Sequence, residues 1–264
     1  MESDVLASRL PQIKQALLSV IEQQKIDVVY QGQNDLPSHK LVGVEALCRI
    51  PPGPWGEVTP DQFIPVAEQT GLIAPLERLV FAQLACDLPQ LLQRHPDIRV
   101  GVNLSIRHIT ALDFLPYIHN WLDSLPPSTI GRLDFEITET YFQRISQTVI
   151  DGLHALRARG VRIVMDDFGS GQSSLSRLHT LPFDVIKLDK QFAQQIAHPM
   201  VYAIVKAALA FANEFGIELI AEGVETAEQC ETLQDINCRL VQGFYFSHPQ
   251  PLAHWLKASD VPTT

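Results

Sequence analysis

Two aspartates stand side by side in VRIVMDDFGSG, residues 161–171, where Asp166 and Asp167 follow an apolar run and precede a glycine-bracketed turn. Adjacent carboxylates at the end of a hydrophobic strand raise each other's pKa unless a counter-charge holds them. Three more carboxylates have comparable settings: Glu45 in LVGVEAL, Glu136 in RLDFEIT and Glu222 in IELIAEG. So do the carboxamides of Gln31, Asn103 and Gln242, and one cation, Lys187 in FDVIKLD. An all-oxygen donor set of this kind suits Mg²⁺, Mn²⁺ or Ca²⁺ rather than zinc. The adjacent pair lets one aspartate bridge two ions while the other binds only the second. Two ions about 3.5–4 Å apart clamp phosphoryl transfer and make a nucleophile of water near neutral pH. Lys187 then orients that water or stabilises charge on the phosphate, and it offsets the acids in the cation-free site.

The elements that must position these groups are legible as alternating strand-length apolar runs and longer amphipathic segments. Runs at 26–31, 41–47, 98–105, 132–138, 161–167, 183–189, 217–223 and 240–246 read as strands. Helical segments fall at about 60–70, 74–94 and 141–159. The first two strands are joined by a short polar loop with Pro37 and Ser38, which fits an antiparallel pair. Repeated strand–helix alternation argues for an α/β fold with a parallel sheet. Near eight strands in this length, with no G-x-G-x-x-G turn, a closed (β/α) barrel is favoured over an open doubly wound sheet. The strand ends of such a barrel converge on one face, so five carboxylates and one lysine meet in a single bowl.

Taken singly, these residues have plainer readings. Asp166 and Asp167 suit a turn or helix cap, Asn103 suits the cap of the next helix, and Lys187 suits a surface ion pair. Glu225 in AEGVET suits the first turn of a helix facing solvent. His108, His179 and His248 have no metal-ligand spacing and are assigned no chemistry. The joint pattern outweighs the single readings, because independent capping does not put a polar residue at the end of nearly every strand.

The chain has 264 residues, 46% hydrophobic and 19% charged, an ordinary globular balance. Its 30 acidic and 20 basic residues give a net charge of −10, which excludes DNA and other bulk polyanions as partners. A small anionic ligand remains compatible where metal ions reverse the sign locally. Cys48, Cys86, Cys230 and Cys238 form no C-x-x-C pair, which points to a reduced cytoplasmic compartment. The first residues lack the cationic and apolar regions of a signal peptide. The longest apolar stretch, VYAIVKAALAFA, contains Lys206 and is too short to span a bilayer. Residues 1–24 read as an N-terminal helix or linker packed on a single barrel domain at 25–258.

An ordered set of motifs then resembles one family. VGVEALCR (42–49), FIPVAEQTGLI (63–73), VNLS (102–105), FEITET (135–140), DDFGSGQSSL (166–175), FDVIKLD (183–189), AEGVET (221–226) and QGFYFSHP (242–249) follow in sequence. Together they are similar to the EAL domains, the bacterial cyclic di-GMP phosphodiesterases. The resemblance implies a modified TIM barrel with an antiparallel first strand, two Mg²⁺ or Mn²⁺ ions with Ca²⁺ inhibitory, and hydrolysis of cyclic di-GMP to linear pGpG. By motif it implies Glu45, Asn103, Glu136 and Asp166 as ligands of the first metal, and Asp166, Asp167 and Glu222 as ligands of the second. It implies Lys187 as the group that positions the attacking water and Glu222 as a candidate base. Gln31, Leu47, Arg49 and Gln242 are implied on the nucleotide, with Arg49 a natural phosphate partner. Glu139 and Glu225 are implied to support the ligands, and a homodimer is implied through the loop and helix after Asp167.

Four positions depart from the family pattern, one of them, Ser170 for threonine, conservatively. Gly32 replaces the proline of Y-Q-P, which predicts a first strand that ends more loosely. Gln172 replaces an aromatic in the loop after Asp167, which bears on dimer strength and regulation. Ile50 stands where tryptophan is common. Two alternatives to the enzyme remain open: a catalytically silent cyclic di-GMP receptor, and a different metal-dependent barrel enzyme with Lys187 as base. Receptors of this type typically lack the motif glutamate or an aspartate, and the second alternative leaves Arg49 and the motif order unexplained.

Overall fold

The computed structural model describes residues 2–138, 146–170 and 181–257, with side chains from residue 9 onward. Its sheet is a closed barrel. Strands β2 (Lys40–Arg49), β3 (Arg99–Asn103), β4 (Leu133–Thr138), β5 (Arg162–Phe168), β6 (Val185–Leu188), β7 (Glu218–Ala221) and β8 (Leu240–Gln242) run parallel in that order. Strand β1 (Asp27–Asp35) closes the ring between β8 and β2 and is antiparallel to both. The two-residue β9 (Gln250–Pro251) adds to β1 opposite Val29 and Tyr30.

The first strand does not end loosely at Gly32, as its sequence predicts; it continues to Asp35. The Gly32 amide donates to Ser247 Oγ at 3.1 Å. A Cβ on Gly32 would stand 2.9 Å from the Trp255 ring and 3.0 Å from Leu41 and Ser247. The glycine therefore admits close approach of the chain after β8, and tight packing keeps the strand extended. The last strand is shorter than the expected 240–246 and stops at Gln242. A Cβ on Gly243 would lie 2.0 Å from the Val224 carbonyl oxygen, so the chain leaves the ladder there to fold over the turn after β7.

Helices cover the outside. α2 (Pro60–Thr70) and α3 (Ile73–Arg94) match the expected pair. α2 starts with Thr59 and Gln62 in a capping box and stops at Gly71, whose φ of 75° suits glycine. Between β3 and β4 lie α4 (Ile106–Ile109), α5 (Phe114–Asp123) and α6 (Pro127–Ile130). α7 (Gln147–Ala158) precedes β5, and the expected residues 141–145 of that helix lie outside the described residues. α8 (Lys190–Gln194), α9 (Pro199–Glu214), α10 (Ala227–Asp235) and α11 (Leu252–Trp255) complete the set.

The main core lies between the barrel and α2, α3, α5 and α7, with Phe63, Phe81, Leu84, Leu88, Phe114 and Leu153 buried. Tyr30 Oη donates to Asp87 Oδ2 at 2.6 Å, linking β1 to α3. At the N-terminal ends of the strands, Arg99 and Arg162 converge on the buried Asp134. α1 (Glu2–Gln23) packs Ile13, Ala16, Leu17 and Val20 against α2 and α3. Arg9 Nη2 fixes its position by donating to the carbonyls of Glu57 at 2.8 Å and Trp55 at 3.3 Å. All four cysteines are free thiols. Among the described residues, no helix is long and apolar enough to cross a membrane.

Candidate active site

Lys187 sits at the centre of the barrel mouth on β6, with 1% of its side chain exposed. Its Nζ lies 2.7 Å from Glu136 Oε2, 2.7 Å from Glu222 Oε1, 3.0 Å from Glu45 Oε2 and 3.4 Å from Asp166 Oδ1. Strand register explains the convergence. Glu45 lies opposite Gln31 across β1–β2, and Asn103 pairs with Glu136 across β3–β4. Alternation along each strand turns these side chains inward. Asp166 is the fifth residue of β5, and Glu222 follows the last residue of β7. Because β1 is antiparallel, Gln31 reaches the same bowl from mid-strand rather than from a strand end.

Carboxamides complete the inner network. Asn103 Nδ2 donates to Glu45 Oε1 at 2.7 Å, and Gln242 Nε2 donates to Glu45 Oε2 at 2.6 Å. Gln33 Nε2 in turn donates to Gln242 Oε1 at 3.0 Å. Gln33 was not anticipated, although it stands two residues from Gln31 and therefore on the same strand face. Ending the first strand at residue 31 hid that periodicity. Gln31 Nε2 donates to the Ser247 carbonyl at 3.1 Å, tying β1 to the segment after β8.

The electrostatics are those of an acid-rich site with one internal counter-charge. Burial alone would lower the pKa of Lys187, but Asp166, Glu136, Glu222 and Glu45 together hold it well above the usual ammonium range. Burial tends to raise Glu45, yet Lys187, Gln242 and Asn103 outweigh it and hold Glu45 low. Burial and the neighbouring Glu45 push Glu136 well above the carboxylate range. Asp166 is raised by burial, against the pull of Lys187. Burial pushes Glu222 up to about 8, with Asp166 and Glu45 adding to it and Lys187 opposing. Burial and then Asp166 push Asp167 up to about 6.

Asp167 takes a φ of 56°, in the left-handed region, and its amide donates to Asp166 Oδ1 at 2.9 Å. The strained step near the end of β5 thus turns two consecutive carboxylates toward one point. Oxygens of Asp166, Asp167 and Glu222 all lie within 4.8 Å of one another. Five carboxylates share one lysine here, and four of the five are held above their usual range by burial and by each other. This all-oxygen, charge-deficient cluster has the donor chemistry that a hard divalent cation requires.

A cleft of about 800 Å³ opens over the bowl. Gln31, Glu45, Leu47, Arg49, Asn103, Asp166 and Asp167 line it, with Phe63 and Glu68 of α2, Glu77 of α3, and Phe244. Arg49 is tethered through Nη1 to the Cys48 carbonyl at 2.9 Å. Glu225 is exposed on the turn before α10, where its carboxylate accepts from Gln194 Nε2 at 3.4 Å. Glu139 and Gln172 lie outside the described residues. Ser105, not Asn103, caps the following helix: its Oγ accepts from the Arg107 amide at 3.2 Å, which leaves the Asn103 side chain to the bowl. His108 is fully buried against Glu77, a pairing that no spacing in the sequence indicates.

The fold and site define a closed α/β barrel with a lysine-centred acidic bowl under a cleft. A family model described as EAL domain matches residues 12–249, and the chain belongs to that family. MucR of Pseudomonas aeruginosa, a bifunctional diguanylate cyclase/cyclic di-GMP phosphodiesterase, is 35% identical over 244 residues, 91% of this chain and 35% of the relative. PdeG of Escherichia coli, a probable cyclic di-GMP phosphodiesterase, is 35% identical over 211 residues, 79% of this chain and 41% of the relative. The solved PaMucR phosphodiesterase in complex with c-di-GMP superposes with a TM-score of 0.83 at 35% identity, covering 92% of this chain and 99% of that one. The chain spans about a third of the length of curated relatives it matches, 34%, 30% and 33% in three of them.

Proposed function

We propose that this chain is a metal-dependent phosphodiesterase that hydrolyses cyclic di-GMP to linear pGpG. The observation that carries the reading is the bowl itself: five convergent carboxylates around one buried lysine, with an arginine on the cleft wall above. The names of the relatives, phosphodiesterases of the same family, support the substrate class. In this reading Glu45, Asn103, Glu136 and Asp166 hold one divalent cation. Asp166, Asp167 and Glu222 hold the other. Two Mg²⁺ or Mn²⁺ ions, when bound, supply Lewis-acid polarisation of the phosphodiester and a water of lowered pKa.

The chain's own groups supply the remainder. Lys187 Nζ, held at the bowl's centre, orients the attacking water and offsets negative charge as the water oxygen bonds to phosphorus. The bond from phosphorus to the ribose O3′ breaks, and the O3′ leaves as a hydroxyl with a proton from solvent. Glu222, whose carboxylate stands 2.7 Å from Lys187 Nζ, is the group that would take that water's proton in this reading. Arg49 presents its guanidinium fork to the phosphate, and Gln31, Leu47 and Gln242 contact the nucleotide. We further place in this reading a homodimer through the loop and helix after Asp167 and a site of action in the bacterial cytoplasm. Light scattering on concentrated protein tests the dimer, and a monomer refutes it.

The direct test is incubation of the purified chain with cyclic di-GMP and Mg²⁺ or Mn²⁺, followed by chromatographic separation of the nucleotides. Linear pGpG is expected. Tight nucleotide binding with no pGpG under either metal would overturn the enzyme in favour of a receptor.

A further inference from the structure

Just outside the bowl, one serine is held by two carboxylates from two helices. The Ser105 amide donates to Glu77 Oε1 of α3 at 2.6 Å, and its hydroxyl donates to Glu68 Oε1 of α2 at 2.6 Å. The second oxygen of Glu77 meets His108 Nδ1 at 2.6 Å. His108 is fully buried against the rings of Phe114 and Tyr117, and its Nε2 has no hydrogen-bond partner among the described residues. Packing alone does not require such an arrangement, because apolar residues fill buried space without polar groups to satisfy. What a buried hydrogen-bonded network does supply is a fixed geometry.

The geometry it fixes begins two residues from Asn103. β3 ends at Asn103, and beyond it the sheet contributes one more bond, from the Leu104 amide to the Glu136 carbonyl at 2.8 Å. Ser105 then leaves the sheet to cap α4, a helix of only four residues that cannot brace the turn by itself. The path of the chain immediately after Asn103 therefore hangs between the β4 backbone on one side and Glu77 and Glu68 on the other. Asn103 must aim its amide across the bowl to stand 2.7 Å from Glu45 Oε1. A rotation of the turn at Ser105 swings that amide off its target.

We propose that Glu77, Glu68 and His108 are positioning residues that clamp the amide and hydroxyl of Ser105 and thereby fix the direction of Asn103 into the bowl. The clamp rests on the reading of Asn103 as a cation ligand given above. Groups that orient metal ligands typically cost 10–100-fold in metal affinity or activity when removed, and a clamp acting through the backbone belongs at the lower end.

The test is calorimetric titration of the metal-free chain with Mn²⁺, comparing wild type, Ser105→Ala, Glu77→Gln, Asn103→Ala and the Glu77→Gln/Asn103→Ala double variant. Glu77→Gln is expected to weaken Mn²⁺ binding about tenfold, with a smaller loss in Ser105→Ala. In the Asn103→Ala background Glu77→Gln should add less than twofold, because the ligand through which it acts is gone. Ser105→Ala keeps the backbone donor and both carboxylates, so it decides the question if Glu77→Gln does not fold. Wild-type affinity in both single variants, whatever their melting temperatures, overturns the clamp, as do losses that add in full in the double variant. A wild-type chain that binds no Mn²⁺ overturns the cation reading and the clamp with it. Wild-type binding with unaffected variants overturns the clamp alone.

Discussion

Replacing Lys187 with methionine keeps the length of an unbranched stem and deletes the cation that touches Glu45, Glu136, Asp166 and Glu222. In the metal-free protein nothing else among the described residues lies in ion-pair contact with these four carboxylates. Removing one partner of a buried ion pair costs about 3–5 kcal/mol, because the other is left buried and uncompensated. The loss is not four times that figure. Burial and mutual repulsion already raise Glu136, Asp166 and Glu222, so loss of the lysine favours proton uptake at these groups over a set of unpaired buried charges. For a domain of this size, about 2–4 °C per kcal/mol translates 3–5 kcal/mol into a fall of roughly 6–20 °C in Tm. The assay is thermal unfolding in chelator, repeated with excess Mg²⁺ or Mn²⁺. The divalent cation should raise the Tm of Lys187→Met by more than it raises that of wild type, since it restores a counter-charge that only the variant lacks entirely. A metal-free variant melting within about 2 °C of wild type refutes the counter-charge argument, because a buried lysine removed from four acids cannot then have been balancing them.

Glu45→Ala removes the carboxylate that accepts from Asn103, Gln242 and Lys187 together, and turnover of cyclic di-GMP is expected to fall by at least about 100-fold; activity within threefold of wild type refutes its role in the site. Exchanging Mg²⁺ for Ca²⁺ should abolish hydrolysis while leaving nucleotide binding measurable, since calcium's longer and looser coordination suits in-line attack poorly; equal rates with both ions count against the two-cation reading. Tyr30→Phe leaves Asp87 with the Gln83 amide alone on its buried side chain, and denaturant unfolding should reveal a loss of about 1–3 kcal/mol with the activity kept; a change below about 0.5 kcal/mol shows that water replaces the phenol.

The parts of this molecule that were legible in its sequence are those governed by local period. A polar residue near the end of nearly every apolar run marked Glu45, Asn103, Glu136 and Lys187, and strand–helix alternation gave the ring that brings those ends together. The apolar run of the first strand stops at Gln31, and Gly32 in place of the family's proline predicts a loose end there. Its real use, admitting Trp255 and Ser247, depends on side chains more than 200 residues downstream. Gln33 was lost with the end of that strand. His108 showed nothing because its meaning lies in Glu77, 31 residues earlier and on another helix, and only the packing of α3 against the β3–α4 turn joins them. Asn103 suits the helix cap in sequence terms, but Ser105 takes it in the structure and Asn103 donates to Glu45 instead.

The antiparallel first strand carries a consequence for how the molecule is made. β1 and β2 pair as a local hairpin, so Gln31 and Glu45 meet as soon as both have been synthesised. The other seam, β1 against β8, joins residues about two hundred positions apart, and the Gln242–Glu45 hydrogen bond spans 197 of them. Pairings of such sequence separation are the slow ones, since loop-closure entropy is spent before any contact returns it. A nascent chain emerging from the ribosome therefore carries an unclosed edge on β1 until its final barrel strand appears, and a complete bowl exists only after that last seam zips.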